Sequence, residues 1–137
     1  KVTLRHICQT FTEGAPRIQQ VFISLLNFLI QNEGNKCYAL LAEEKTLIPH
    51  LISLLDHSSL VIRGKCLLSF YLLFKTNLKW MMALSEPKFG PLLDRLNRDA
   101  YRYVQCCLIH LLDLVTELIP IILTHIEDEL MDIHKAQ

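Results

Sequence analysis

The chain is short of the residues that interrupt helices. Its 137 residues include four glycines and five prolines, which argues against a fold of tight turns and strands and for long helices with short joints. Aromatic residues are sparse at 8%, with a single tryptophan. Net charge is absent, since 14 Lys and Arg balance 14 Asp and Glu. That removes the overall basic field of a typical nucleic-acid binder. Long uncharged runs are also missing. The longest, Ile18 to Asn32, has 15 residues and contains Gln19, Gln20, Ser24 and Asn27. It falls short of the ~20 apolar residues of a membrane-spanning helix, so neither a membrane span nor a signal peptide is expected. The five cysteines, Cys8, Cys37, Cys66, Cys106 and Cys107, have no paired spacing. They argue against a disulfide framework and for small hydrophobes in a reducing, cytoplasmic setting.

What is present is an apolar excess, 51% of residues with a mean hydropathy of +0.27, and it repeats. A step of 42 residues carries Tyr38 to Trp80, Pro49 to Pro91, Leu51 to Leu93, Leu54 to Leu96, Ile62 to Val104 and Phe70 to Leu112 without a gap. A helical period of this size reads as an armadillo or HEAT stack, in which each unit buries its apolar face against its neighbours. The length allows about three units, roughly the minimum for stability. The apolar excess and the absence of an initiator Met are expected to mark a piece of a longer protein.

Residues 1–12 place Val2, Leu4, Ile7, Cys8 and Phe11 at amphipathic helical spacing. Pro16 then starts a strongly apolar helix to Asn32, expected to end on Gly34 in the left-handed region. Asn35 is expected to cap a short helix, KCYALLAEE. A medium helix follows, with Pro49 in its first turn, and then a long helix from about Ser59 to Asn77. Gly64 lies inside that long helix and is expected to admit a close neighbour, because an interior glycine otherwise costs about 1 kcal/mol. The cycle recurs as KWMMALSE, KFGPLLDRLN and a long helix capped by Asp99. Pro120 is expected to begin a new, increasingly acidic helix. The units are therefore approximately 1–34, 35–77 and 78–118, with a terminal helix 119–137. The expected fold is all-α: a right-handed α-solenoid of about three armadillo-like repeats, each with a short, a medium and a long helix.

The stretch LIPHLISLLDHSSLVIRGKCLLSFYLLF resembles the armadillo repeat through Ile48, Pro49, Leu51, Leu54, Leu55, Val61, Cys66, Ser69 and Phe70. The denser text VIRGKCLLSFYLLFKTNLKW and LLDRLNRDAYRYVQCCLIHLLD is similar to the C-terminal armadillo region of Fused/Runkel-type Unc-51-like kinases and pseudokinases. That resemblance implies a non-catalytic region of a large protein linked to the cytoskeleton, to cilia or to the plant division apparatus. The chain itself has no Gly-rich loop and no H-R-D or D-F-G. Armadillo proteins that clamp extended basic peptides carry a Trp and an Asn four residues apart on each long helix. The matching positions here are Leu68 and Leu72, then His110 and Leu114, so that function is not implied.

Charge is unevenly spread. Residues 63–102 hold eight basic and three acidic residues, whereas 103–137 hold one basic and six acidic. Arg63, Lys65, Arg95, Arg98 and Arg102 are expected to form a basic ridge beside His110, facing a protein partner, with Asp94, Asp99 and Glu86 as the groups that would neutralise it. The expected function is a non-catalytic scaffold that binds protein partners through its concave face and this ridge. Self-association, or stacking on further repeats, is a related expectation. No cofactor, metal or membrane is implied. The six histidines and five cysteines lack the paired spacing of a zinc site. Two alternatives are a helical enzyme domain using Cys106 or Cys107 with His110, and a nucleic-acid-binding repeat. The first demands a thiol of lowered pKa.

Overall fold

The computed structural model describes residues 4–136. Val2 and Gln137, which fall in the first and last expected helices, lie outside that range. Among the described residues the fold is all-α, with seven helices and no strand. Helix α1 (Leu4–Glu13) turns through Gly14 into α2 (Pro16–Glu43), with Pro16 in the first turn, where a missing N–H costs nothing. Cys8 and Phe11 bury the inner face of α1, and Phe11 meets Phe22 edge-on with ring centroids 5.3 Å apart. Helix α3 (Leu47–Leu54) precedes α4 (Leu60–Thr76). Ser59 caps α4, its hydroxyl accepting from the Ile62 amide. A 3-10 segment (Leu78–Ser85), α5 (Phe89–Leu96) and α6 (Arg102–Ala136) complete the chain.

Four expected boundaries are corrected. Glycine does not end α2 in the left-handed region, because no described glycine has a positive φ. Instead α2 kinks at Glu33 (φ −133°, ψ 23°) and runs on through the short helix expected to begin after Asn35. Gly34 is buried at the kink, against the Thr76 side chain. The KWMMALSE segment is 3-10 rather than α-helical. Asp99 does not cap the first turn of an immediate helix, since α6 starts at Arg102. Its carboxylate accepts from the Tyr101 amide (3.0 Å) and its carbonyl from Gln105 Nε2 (2.6 Å). Finally, Pro120 starts no new helix and lies inside a continuous α6 of 35 residues.

The long helices lie in chain order, α2 on α4 and α4 on α6. Residues 42 apart meet directly across the first seam. Tyr38 packs edge-on to Trp80 at 5.2 Å, Ser69 donates to Asn27 Oδ1 at 2.6 Å, and Gly34 meets Thr76. Both partners advance together along the chain, so α2 and α4 run parallel. Asn27, 7% exposed, also donates to the Lys65 carbonyl at 3.1 Å. The seam is thus closed by a satisfied polar pair within an apolar surround. On the other side of α4, the Tyr103 ring of α6 occupies the space a Gly64 side chain would need. The expected close approach at Gly64 is therefore present. Phe70, fully buried, links layers by touching both Phe74 (5.9 Å) and Phe89 (4.6 Å).

By length and composition α6 can cross a membrane, with a mean hydropathy of 2.1 over 18 residues. Counting uninterrupted uncharged residues missed this, because Asp113 and Glu117 break the run. The near half of α6 buries Val104, Leu108, Leu111 and Leu114, so it also serves as a core helix.

Candidate partner-binding surface

The six residues singled out for partner binding lie on α4, α5, the loop after it and α6, and their environments differ. Arg63 is locked. Its guanidinium forms a two-point pair with Asp99, Nε to Oδ2 at 2.8 Å and Nη2 to Oδ1 at 3.2 Å. Nη1 also donates to the carbonyls of His57 (2.9 Å) and Ser58 (3.1 Å), and the Tyr101 ring lies 5.8 Å away. Only 13% of the Arg63 side chain and 8% of Asp99 are exposed. This fork-on-fork geometry suits a structural clasp between the loop before α4 and the start of α6. Burial pushes the Asp99 carboxyl up. The hydrogen bonds from Arg63 and the Tyr101 amide, with the Arg63 charge, outweigh it and hold the group below its ordinary value.

Lys65 is half-buried and donates to the Ser24 hydroxyl of α2. Arg95 pairs with Asp56 at 2.6 Å and Arg98 with Asp94 at 2.9 Å. Those four side chains are all more than half exposed, so the pairs hold weakly and can exchange partners. Arg102 is exposed at the first turn of α6, and His110 is exposed two turns further on. Arg63 and Lys65 are therefore committed to the fold, and the accessible basic groups are Arg95, Arg98 and Arg102. The neutralising role expected of Asp94 and Asp99 is seen. Asp56, which lies 39 positions from Arg95, was not anticipated, because only the folded chain brings the end of α3 beside α5.

Sequence reasoning also missed a buried polar cluster at the N-terminal side. His57 Nδ1 accepts from the Ser59 amide at 2.9 Å, so Nε2 carries the proton, 2.8 Å from Gln19 Oε1. Its only signal was Gln19, a polar residue in an otherwise apolar run. In the 3-10 segment Trp80 and Met81 are buried, whereas Met82 is 76% exposed.

Cys107 lacks the lowered thiol pKa that the enzyme alternative asks of it. Cys107 is half-buried, and burial pushes its thiol up; a hydrogen bond with Tyr103 opposes this and neighbouring Cys106 adds to it. A raised thiol is a poor nucleophile at neutral pH. Among the described residues no group of three His, Cys, Asp or Glu is placed to hold a metal.

With this geometry in view, comparison with known proteins gives one informative match. The chain is 30% identical, over 139 aligned positions, to the serine/threonine-protein kinase RUNKEL of Arabidopsis thaliana. The alignment takes in 97% of this chain and 10% of that protein, so the chain spans about a tenth of the relative's length. No family model matches the chain. The similarity agrees with the kinase type named in the sequence resemblance, and this chain holds none of the kinase motifs.

Proposed function

We propose that this chain is a short armadillo-type stack that acts as a non-catalytic scaffold, binding a partner protein across its three long helices. The observation that carries this reading is the contact between residues 42 apart, Tyr38 with Trp80 and Asn27 with Ser69. Such contacts are the mark of like units stacked in register. They leave Leu26, Leu68 and His110 at matching places on α2, α4 and α6, with Leu26 half-buried and Leu68 and His110 exposed. A broad face of mixed polarity results, bordered by Arg95, Arg98 and Arg102, and it suits recognition by shape with charge selecting the partner. The right-handed superhelical form, the cytoplasmic setting, and a role in a cytoskeletal or ciliary assembly within a kinase-related parent belong to the same proposal.

The test is crosslinking with peptide mapping in cell extract. Wild type is compared with a variant carrying Arg95→Glu, Arg98→Glu and Arg102→Glu. Crosslinks to a protein partner should map to α4, α5 and α6 and be lost in the variant. Crosslinks unchanged by the charge reversal would remove the arginine border from the reading. Salt-dependent retention of RNA instead would favour the nucleic-acid alternative.

A further inference from the structure

Beyond Leu114 no described residue of α6 is buried, yet the helix keeps an apolar seam there. Ile119, Leu123, Ile126, Leu130 and Ile133 recur at alternating steps of four and three. Each is between 44% and 60% exposed. This is the a/d spacing of a helix that meets another helix. The first part of the seam forms one wall of a cleft of about 440 Å³, whose other wall is the 3-10 segment through Leu78, Met81, Met82 and Leu84. Long unbranched methionine side chains suit such a trough, because they repack around whatever enters.

On α6 the rim of the trough is acidic, while Lys79 stands on the facing 3-10 wall. On the heptad that places Leu123 and Leu130 at a, Glu127 falls at e and Glu129 at g, one on each side of the seam. Asp128, at f, and Asp132, at c, fall on the outer face of the helix. We propose that this trough docks an amphipathic helix of a partner protein that carries Lys or Arg on both sides of its apolar stripe. The apolar seam would supply the affinity, and ion pairs from e and g would set the partner and its direction.

A second copy of the chain fits less well. Antiparallel seams would set Glu127 against Glu127 and Glu129 against Glu129, and parallel seams would leave both without a Lys or Arg opposite. An anionic membrane surface is disfavoured by the same carboxylates. The trough is separate from the arginine border and does not depend on the reading proposed for it.

Trp80, the only tryptophan, packs against Tyr38 and does not line the cleft, so binding is read by calorimetry rather than by its emission. The probes are two Trp-free synthetic helices of about three heptads, with Leu at a and d, one bearing Lys at e and g and the other Glu. The Lys peptide should give a saturable binding heat by isothermal titration calorimetry and the Glu peptide should not. Ile126→Asp and Leu130→Asp, both at exposed sites, should keep the circular dichroism and weaken binding at least about tenfold. The double change Glu127→Lys with Glu129→Lys should reverse the preference between peptides. Equal binding of both peptides, or indifference to the aspartates, would overturn the proposal. So would self-association by sedimentation that these substitutions abolish, or uptake onto phosphatidylcholine and phosphatidylserine vesicles that Ile126→Asp abolishes.

Discussion

Single residues in this molecule work at seams between helices. Gly64 is the clearest case, because the Tyr103 ring fills the volume a side chain would occupy. Its cost to helix propensity, about 1 kcal/mol, is offset by the closeness it allows. Arg63 and Asp99 form the other residue-scale device, and it has a pH signature. Folding lowers the Asp99 carboxyl against the upward push of burial, through Arg63 and the Tyr101 amide. A group lowered in this way contributes stability that is whole above its unfolded value and is lost as pH falls through the lowered folded value. Asp99→Asn should therefore cost about 3 kcal/mol at neutral pH, by leaving the Arg63 cation poorly paired. It should also show a shallower acid loss of Tm than wild type, so that the two curves converge below the ordinary aspartate range. Curves that stay parallel into acid would show that the pair contributes no pH-dependent stability. From the chain alone Asp99 was one of three groups expected to neutralise the ridge, without a sign that it would lock Arg63. The two lie 36 positions apart, and helical spacing carries no information about such a pairing.

At the scale of elements, the medium and long helices α3, α4 and α5 were legible. Their apolar spacing is regular, Ser59 marks a start, and Pro49 and Pro91 sit in early turns. The joins between long and short helices were not legible. One such join kinks at Glu33, another breaks at Asn77 (φ −152°, ψ 123°), and the third runs straight through Pro120. Local signals at these places are weak or contradictory, and packing decides: Gly34 is held against Thr76 and Tyr38 against Trp80, while beyond Ile122, which still packs on the core, the described residues of α6 are exposed. A proline in a helix interior removes one hydrogen bond, here to the Thr116 carbonyl, and crowds the preceding turn, at about 3 kcal/mol. Pro120→Ala should therefore stiffen α6 locally. Amide hydrogen exchange between residues 116 and 136 should slow markedly while the global Tm changes little, because this stretch buries almost nothing. Unchanged exchange there would mean that the proline does not limit the helix.

At the scale of the whole molecule, α4 is the hub. It lies between α2 and α6 and buries eight residues, whereas the 35-residue α6 buries four. Charge follows a different division, basic over 63–102 and acidic over 103–137, so the basic stretch begins within α4 itself and the acidic residues of the second stretch all fall on α6. Phe70 tests the hub directly. It is wholly buried and its ring touches Phe74 of its own helix and Phe89 of α5. Phe70→Ala should cost about 3–5 kcal/mol through lost burial and the cavity left behind. The outcome also separates two kinds of cooperativity. If the layers unfold as one, far-UV circular dichroism and Trp80 fluorescence will move together at a lower denaturant midpoint with an unchanged slope. If each layer is stabilised only by its neighbours, as in a stack of like units, the Trp80 signal should move first, because Trp80 and Phe89 lie in adjacent elements on the side of α4 that loses its anchor. Coincident transitions with a loss well under 1 kcal/mol would show that the Phe70 contacts do not hold the layers together.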